Sequence, residues 1–568
     1  MVRSHDKEVR LGGMGSLVLL LLMSQPGMAA EYFVSPDGDD WNSGTSISEP
    51  WRSIAKANGA LRAGDTVFLR GGEYVDDPIE PARSGQPGQP IIYSGYQGER
   101  AVITSHTVVG LNEAIALRDI AHIVIEKLVF TGRQPSPNAT LKHFATFDNA
   151  SYIEIRDCEF EYAEGWAGMN LVGGSHHNKL LRNRIDFVGA YDQAGDDYGD
   201  GIWVADSSHH NLIASNYITH GGHDLLRTKG YRNIVQDNTF DNDWSDVAGP
   251  GLGGRNLTLD GTENVFQRNI VRNAARSTDA PKNSGMKVEG RGNIVRRNLL
   301  VDNHHDAIQT ETGSWQQYAQ NARIYHNTIY NNGGAAWRVR FYETTNWPTG
   351  NVFKNNLVFG NRQDPPNDGE DADFRIILSN SGVNAPGGNE IVNNLVVKAA
   401  TGDARIYMTP PFALVLLDNA ESTYGDLIAN NIQEPPVFAK QQRFVLNDYE
   451  LAAGSRGHDE AAPLTFTASS GFGSRIRVED ASYFTDGYGL APGDVLRIGF
   501  EEDVRVLEVD QRANELTVDR EIGWTEGDAV MLEYDGAAPD IGAVEAGQTT
   551  QFALKPKAPL LIATPIPN

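Results

Sequence analysis

One stretch of this 568-residue chain concentrates groups able to move protons. Asp224, Arg227 and Lys229 fall within six residues, with His223 just ahead. Residues two apart in an extended strand share a face, so Arg227 and Lys229 would stand side by side. The same spacing recurs at Lys287/Glu289, Gln309/Glu311 and Arg338/Arg340. A surface that gathered these pairs would suit proton abstraction beside a carboxylate. One cation neutralises the acid group, a base removes the adjacent proton, and an acid protonates the departing oxygen. Lys229 is the candidate base, with Arg227, Lys287 and His223 as catalytic partners. Asp224, Asp260 and Glu289 offer oxygen ligands, which Ca2+ would suit. The same charges could equally form a solvated salt-bridge ladder.

Bringing such distant residues together requires a repeating scaffold, and the sequence has one. Segments of the form Asn-x-Ile/Val-x-x-Asn recur, and their second Asn falls at 183, 216, 238, 269, 298, 327, 356 and 394. The steps are 33, 22, 31, 29, 29, 29 and 38 residues, the length of a coil of three short strands whose turns carry insertions. Propeller blades or regularly spaced hairpins are not visible. The expected fold is all-β: a right-handed parallel β-helix with an N-terminal capping helix and a small C-terminal antiparallel module. The repeated Asn is expected to take the left-handed turn conformation and to bond its counterpart one coil away.

Counting back from each Asn sets the strand register. Met169/Leu171, Ile202/Val204, Leu226/Thr228, Leu257/Leu259, Met286/Val288, Ile308/Thr310 and Trp337/Val339 should point inward. Asn170, Trp203, Arg227, Thr258, Lys287, Gln309 and Arg338 then form one outward column. Val172, Ala205, Lys229, Asp260, Glu289, Glu311 and Arg340 form the next. Trp203 could stack on a sugar ring. With Arg255, Gln309, Glu311, His305, Arg338 and Arg340 it makes the candidate substrate-binding set.

The whole chain carries a formal charge of −26, which argues against nucleic acid or anionic lipid as partner. A local cationic groove on such a protein points instead to an acidic polysaccharide. Residues 1–30 read as an export leader, with basic Arg3, Lys7 and Arg10, an apolar run and cleavage after Ala30. The mature chain is expected to be secreted or periplasmic, bacterial, monomeric and free of the membrane. A single cysteine, Cys158, excludes an internal disulfide. The organisation expected is a β-helix over 31–460, a small β module over 461–537, a closing segment over 538–548 and a Pro-rich tail over 549–568.

The segment Asp224–Asn242 resembles the active-site coil of the chondroitinase B and alginate lyase family, within the pectate lyase-like superfamily. In that family a Lys four residues before the first Asn of an N-x-x-x-x-N-T-aromatic motif acts as base. Lys229 stands four before Asn233, and Asn238-Thr239-Phe240 completes the motif. The resemblance implies β-elimination of a uronate polymer, with Asp224 in the place of an acidic metal ligand. The following coil should supply a catalytic Arg; this chain has Asn256-Leu257-Thr258-Leu259-Asp260-Gly261 there. Lys287, Arg255 or a loop histidine would have to take its role.

Polygalacturonase-like hydrolases are a second resemblance, carried by Gly199–Ile202, His223-Asp224, Gly249–Gly253 and Met286–Glu289. This implies inverting hydrolysis by Asp200 and Asp224, which needs carboxyls roughly 6.5–9.5 Å apart. Carbon-5 epimerisation, or glycan binding without cleavage, would use the same groove.

Overall fold

In a computed structural model of the chain, the residues described are 29–105, 111–133, 140–188, 199–243, 255–274, 284–311, 319–340, 348–361, 372–377, 388–397, 404–409, 413–440, 449–499 and 503–547. Most of the expected leader, the acidic run Asp192, Asp196 and Asp197, whose sequence reads as a solvated loop or a Ca2+ site, and the Pro-rich tail lie outside these ranges.

The repeats coil into a parallel β-helix. One sheet holds fourteen strands among the described residues, from Glu31–Val34 to Ile428–Ala429. The register of the functional strands follows the alternation of the sequence. Asn170, Trp203, Arg227, Thr258, Lys287, Gln309 and Arg338 pair rung by rung. Between them, Ile202, Leu226, Leu257, Met286, Ile308 and Trp337 stack inward and are fully buried. Ile, Val, Leu and Phe dominate these positions because a parallel sheet buried on its inner face selects continuous apolar columns.

The turns are locked by asparagine ladders. Asn269 donates to Asn298 Oδ1, Asn298 to Asn327 Oδ1 and Asn327 to Asn356 Oδ1, at 3.1, 3.0 and 2.9 Å. The first Asn of each motif forms a second ladder through Asn178, Asn211, Asn233, Asn264 and Asn293. The ladder Asn does not itself take the left-handed conformation, contrary to expectation. The residue before it does: Arg182, Ser215, Asp237, Arg268, Arg297 and His326 have φ between 50° and 60°. The preceding residue turns the corner, which leaves the amide aimed along the helix axis. There it accepts from one backbone N–H and donates to one carbonyl, as Asn298 does with Asn269 N and Phe266 O.

At the N-terminal end, helix Ile54–Ala60 covers the core with Ile54 and Ala57, capped by the Ser53 hydroxyl. At the other end, strands Arg405–Thr409 and Ala413–Leu416 pair antiparallel and lead into helix Leu417–Tyr424, which buries Leu417 and Ala420. Sequence patterning gave no sign of this second cap, because its apolar stripe is only two residues. The segment 538–547 lies along the flank instead of over the end. Gly542 and Ala543 donate to Asn355 O and Thr328 Oγ1, and Ile541 packs on Leu357 and Leu395.

The C-terminal module is a six-stranded antiparallel sheet. It buries Leu496, Val504 and Leu516 together with Ile234, Val265, Ile294 and Tyr325 of the β-helix. Arg296 to Asp494 and Arg323 to Asp480 pin the two units. The module therefore rests on one sheet of the helix and leaves the Trp203–Arg227–Lys287 column on another.

Candidate active site

Stacked rungs about 4.8 Å apart turn four neighbouring strands into one patch. Trp203 stands at its N-terminal end, half-buried. Arg227 and Lys229 both lie over its ring, at 5.2 and 5.3 Å from the centroid, close enough for cation–π attraction. The exposed Trp166 meets Trp203 edge-on at 5.5 Å. Sequence reading missed Trp166 because it precedes its strand by one residue, where alternation assigns no direction.

Two buried carboxyls govern the cations. Arg227 Nε and Nη2 donate to Asp260 Oδ2 at 2.9 and 2.7 Å. Lys287 Nζ stands 2.5 Å from Glu289 Oε1. Asp260 and Glu289 also meet each other within hydrogen-bond reach, which requires a proton between them. Burial, reinforced by the Asp260 charge, pushes the Glu289 carboxyl up to about 9. Burial acts on Asp260 in the same sense, but the Glu289 hydrogen bond and Arg227 overcome it and hold Asp260 below the usual carboxylate range. Glu289 is thus the neutral donor and Asp260 the anion. Burial alone would favour the neutral form of Arg227, yet Asp260 and Asp224 hold the guanidinium firmly charged.

A second cluster sits at the start of the same strands. His223 Nδ1 is 2.8 Å from Asp200 Oδ1 and 3.5 Å from Asp224 Oδ2. Asp224 N–H donates to Asp200 Oδ1 at 3.2 Å. Burial, with Asp224 adding, pushes the Asp200 carboxyl up despite His223. Ligand atoms of Asp200, His223 and Asp224 all lie within 4.8 Å of one another. That is shorter than the roughly 6.5–9.5 Å an inverting pair must leave for water, so the geometry does not fit Asp200 and Asp224 as inverting acid and base.

Nor does the geometry assemble the expected calcium ligands. Asp224 precedes the rung of Asp260 and Glu289 by five residues, roughly 16 Å along the strand. Asp260 and Glu289 are held by Arg227 and Lys287 and share a proton. The Asp200–His223–Asp224 group offers an imidazole in place of the all-oxygen set that calcium takes.

A third cluster was not anticipated. Asp306, fully buried, accepts from Gln309 Nε2 at 2.8 Å and lies 2.9 Å from Arg338 Nε and from His305 Nδ1. Burial opposes ionisation, but Arg338 and His305 keep the Asp306 carboxyl far below its ordinary range. Three expected substrate contacts, Gln309, His305 and Arg338, are therefore buried around one anion. Asp306 escaped sequence reading because it lies between strands. Backbone pairing places Arg255 beside Asp224 and Glu311 beside Arg340; the side chains of Arg255, Glu311 and Arg340 lie outside the described set.

Comparison with known proteins fits this architecture. Residues 32–221 match the family described as "Pel9A-like, right handed beta helix region", and residues 193–404 match "Right handed beta helix region". A Bacillus subtilis (strain 168) protein, "Uncharacterized protein YwoF", is 25% identical over 362 residues, covering 60% of this chain and 70% of its own. "Pectate lyase PEL9" of Emericella nidulans is 38% identical over 84 residues, 15% of this chain and 20% of its own. Among solved structures, pectate lyase Pel9A aligns over 91% of this chain and 97% of its own, at 14% identity and a TM-score of 0.44. The chain is a right-handed parallel β-helix protein, with a Pel9A-like region in its N-terminal coils.

Proposed function

We propose that this chain is an exported polysaccharide lyase that cleaves a uronic-acid-containing polymer by β-elimination. The observation that carries the reading is the arrangement of Arg227 and Lys229 over Trp203, with Arg227 pinned by Asp260. Trp203 and the exposed Trp166 offer ring surface for sugars. Arg227 spends two donors on Asp260 and keeps others for a substrate carboxylate, whose charge it neutralises. Lys229 takes the proton at carbon 5. The electron pair forms the C4–C5 double bond, the C4–O4 bond breaks, and O4 leaves with a proton from Lys287. Glu289, neutral at pH 7 and in contact with Lys287, can replace that proton.

Incubation with alginate, pectate and glycosaminoglycans tests this through the ultraviolet absorbance of the unsaturated product. Reducing sugar without that absorbance means hydrolysis, and inversion at carbon 5 without cleavage means epimerisation; either overturns the proposal. Lys229→Ala should lower kcat by about a hundredfold or more. Full activity in that variant removes Lys229 as the base.

A further inference from the structure

Between the β-helix and the C-terminal module lies a polar cleft of about 260 Å³, on a different sheet from the Trp203 column. Arg268, Arg296, Arg297 and Arg505 line it, against the carboxylates of Asp494 and Glu533. Such a concentration of guanidinium groups is unexpected in a chain of net charge −26.

The four arginines are not equivalent. Arg268 holds Asp237 through two bonds, and Arg296 holds Asp494 through two bonds; these are structural ties. Arg297 donates to the carbonyl of Glu533 at 3.0 Å, and Arg505 to that of Gly493 at 2.9 Å. Among the described residues neither has a carboxylate within ion-pair distance. A guanidinium presents five donors, so both keep donors for a further acceptor. Burial and the neighbouring Arg296 press on the charge of Arg297, a cost that a bound anion would relieve. Gln236 and Gln267 supply neutral hydrogen-bonding groups beside them.

We propose that this cleft is a second glycan site, in which Arg297 and Arg505 hold the carboxylate of one acidic sugar residue. Its volume suits a single sugar ring more than a polymer segment. The site would tether an acidic polysaccharide away from the reacting bond and raise its local concentration. The choice of a uronate as ligand rests on the proposed function; the anion site does not.

The test uses the full chain and trigalacturonate, measured by calorimetry in an Arg227→Gln background, which removes the groove's carboxylate contact. Binding should persist there and weaken about tenfold or more when Arg505→Gln is added. Lyase activity of Arg505→Gln alone on short oligomers should equal that of the unaltered chain. Hydrogen exchange in the unaltered chain, needing no variant, should show protection of 491–495 when trigalacturonate is added. No protection, or equal binding after Arg505→Gln, overturns the proposal. Inorganic sulfate competing as tightly as the saccharide overturns the glycan assignment and leaves a small-anion site. Absence of lyase activity with retained binding sinks the elimination reading alone.

Discussion

Replacing Glu289 by Gln probes the proton shared in the groove. Gln keeps the shape and the donor of a neutral Glu, so it should mimic the folded state at neutral pH. The unfolded chain behaves differently, because there Glu289 titrates near its ordinary value of 4.5, against about 9 in the folded protein. Between those values the folded state binds one more proton than the unfolded state. The stability contributed by Glu289 is therefore fully present below pH 4.5 and is lost as pH rises toward 9. Each pH unit in that window is worth about 1.4 kcal/mol. From pH 5 to 8 the unaltered chain should lose about 4 kcal/mol relative to Glu289→Gln. Asp260 titrates below this window and leaves the slope unchanged. Urea unfolding of both proteins at pH 5, 6, 7 and 8 gives the difference directly. A difference independent of pH would mean that Glu289 ionises normally in the fold, and the shared proton would have to be abandoned.

Other expectations follow from the same contacts. Asp260→Asn strips Arg227 of its counter-charge; because Arg227 keeps a fifth of its side chain exposed, the cost should be about 2–3 kcal/mol by urea unfolding, and no loss would show the pair to be idle. Asn298→Ala removes ladder bonds to Asn269, Asn327 and Phe266 and should cost about 3–5 kcal/mol; a loss under about 1 kcal/mol would show the ladder to be ornamental. His326 is fully buried and donates to Asp540 O, and burial pushes it down to about 3. Its contribution should fade as pH falls from about 6.5 toward 3, by about 4–5 kcal/mol in total. His326→Gln should flatten that acid limb, and an unchanged acid profile would refute the assignment.

The scaffold was far more legible in the sequence than the chemistry. A period of about one coil, fixed by Asn at 183 through 394, determined register well enough to place Trp203, Arg227, Lys287 and Gln309 in one column, because strand alternation is strict. Alternation stops at strand ends, and there the reading failed. Asp306 and Trp166 lie just outside their strands. Nor does a pattern of charges disclose who binds whom. Asp260 and Glu289 read as metal ligands, whereas depth makes them partners of Arg227, Lys287 and each other. The left-handed residue was misplaced by one position because Asn tolerates that conformation while Arg and His were assigned no such preference.

The shared proton also bears on how the proposed polyanionic substrate would find this protein. With Glu289 neutral, Asp260 is the one anion among the four groups Arg227, Asp260, Lys287 and Glu289, so this quartet carries a net positive charge at neutral pH. The chain as a whole is strongly negative and repels an acidic polymer from most directions. Approach of the proposed anionic substrate is then selected by exclusion: it is turned away from most of the surface and admitted along the strip that holds Lys229 and at the proposed Arg297–Arg505 cleft. Added salt should soften both the repulsion and the capture, so the groove's advantage over the rest of the surface is one of orientation as much as affinity.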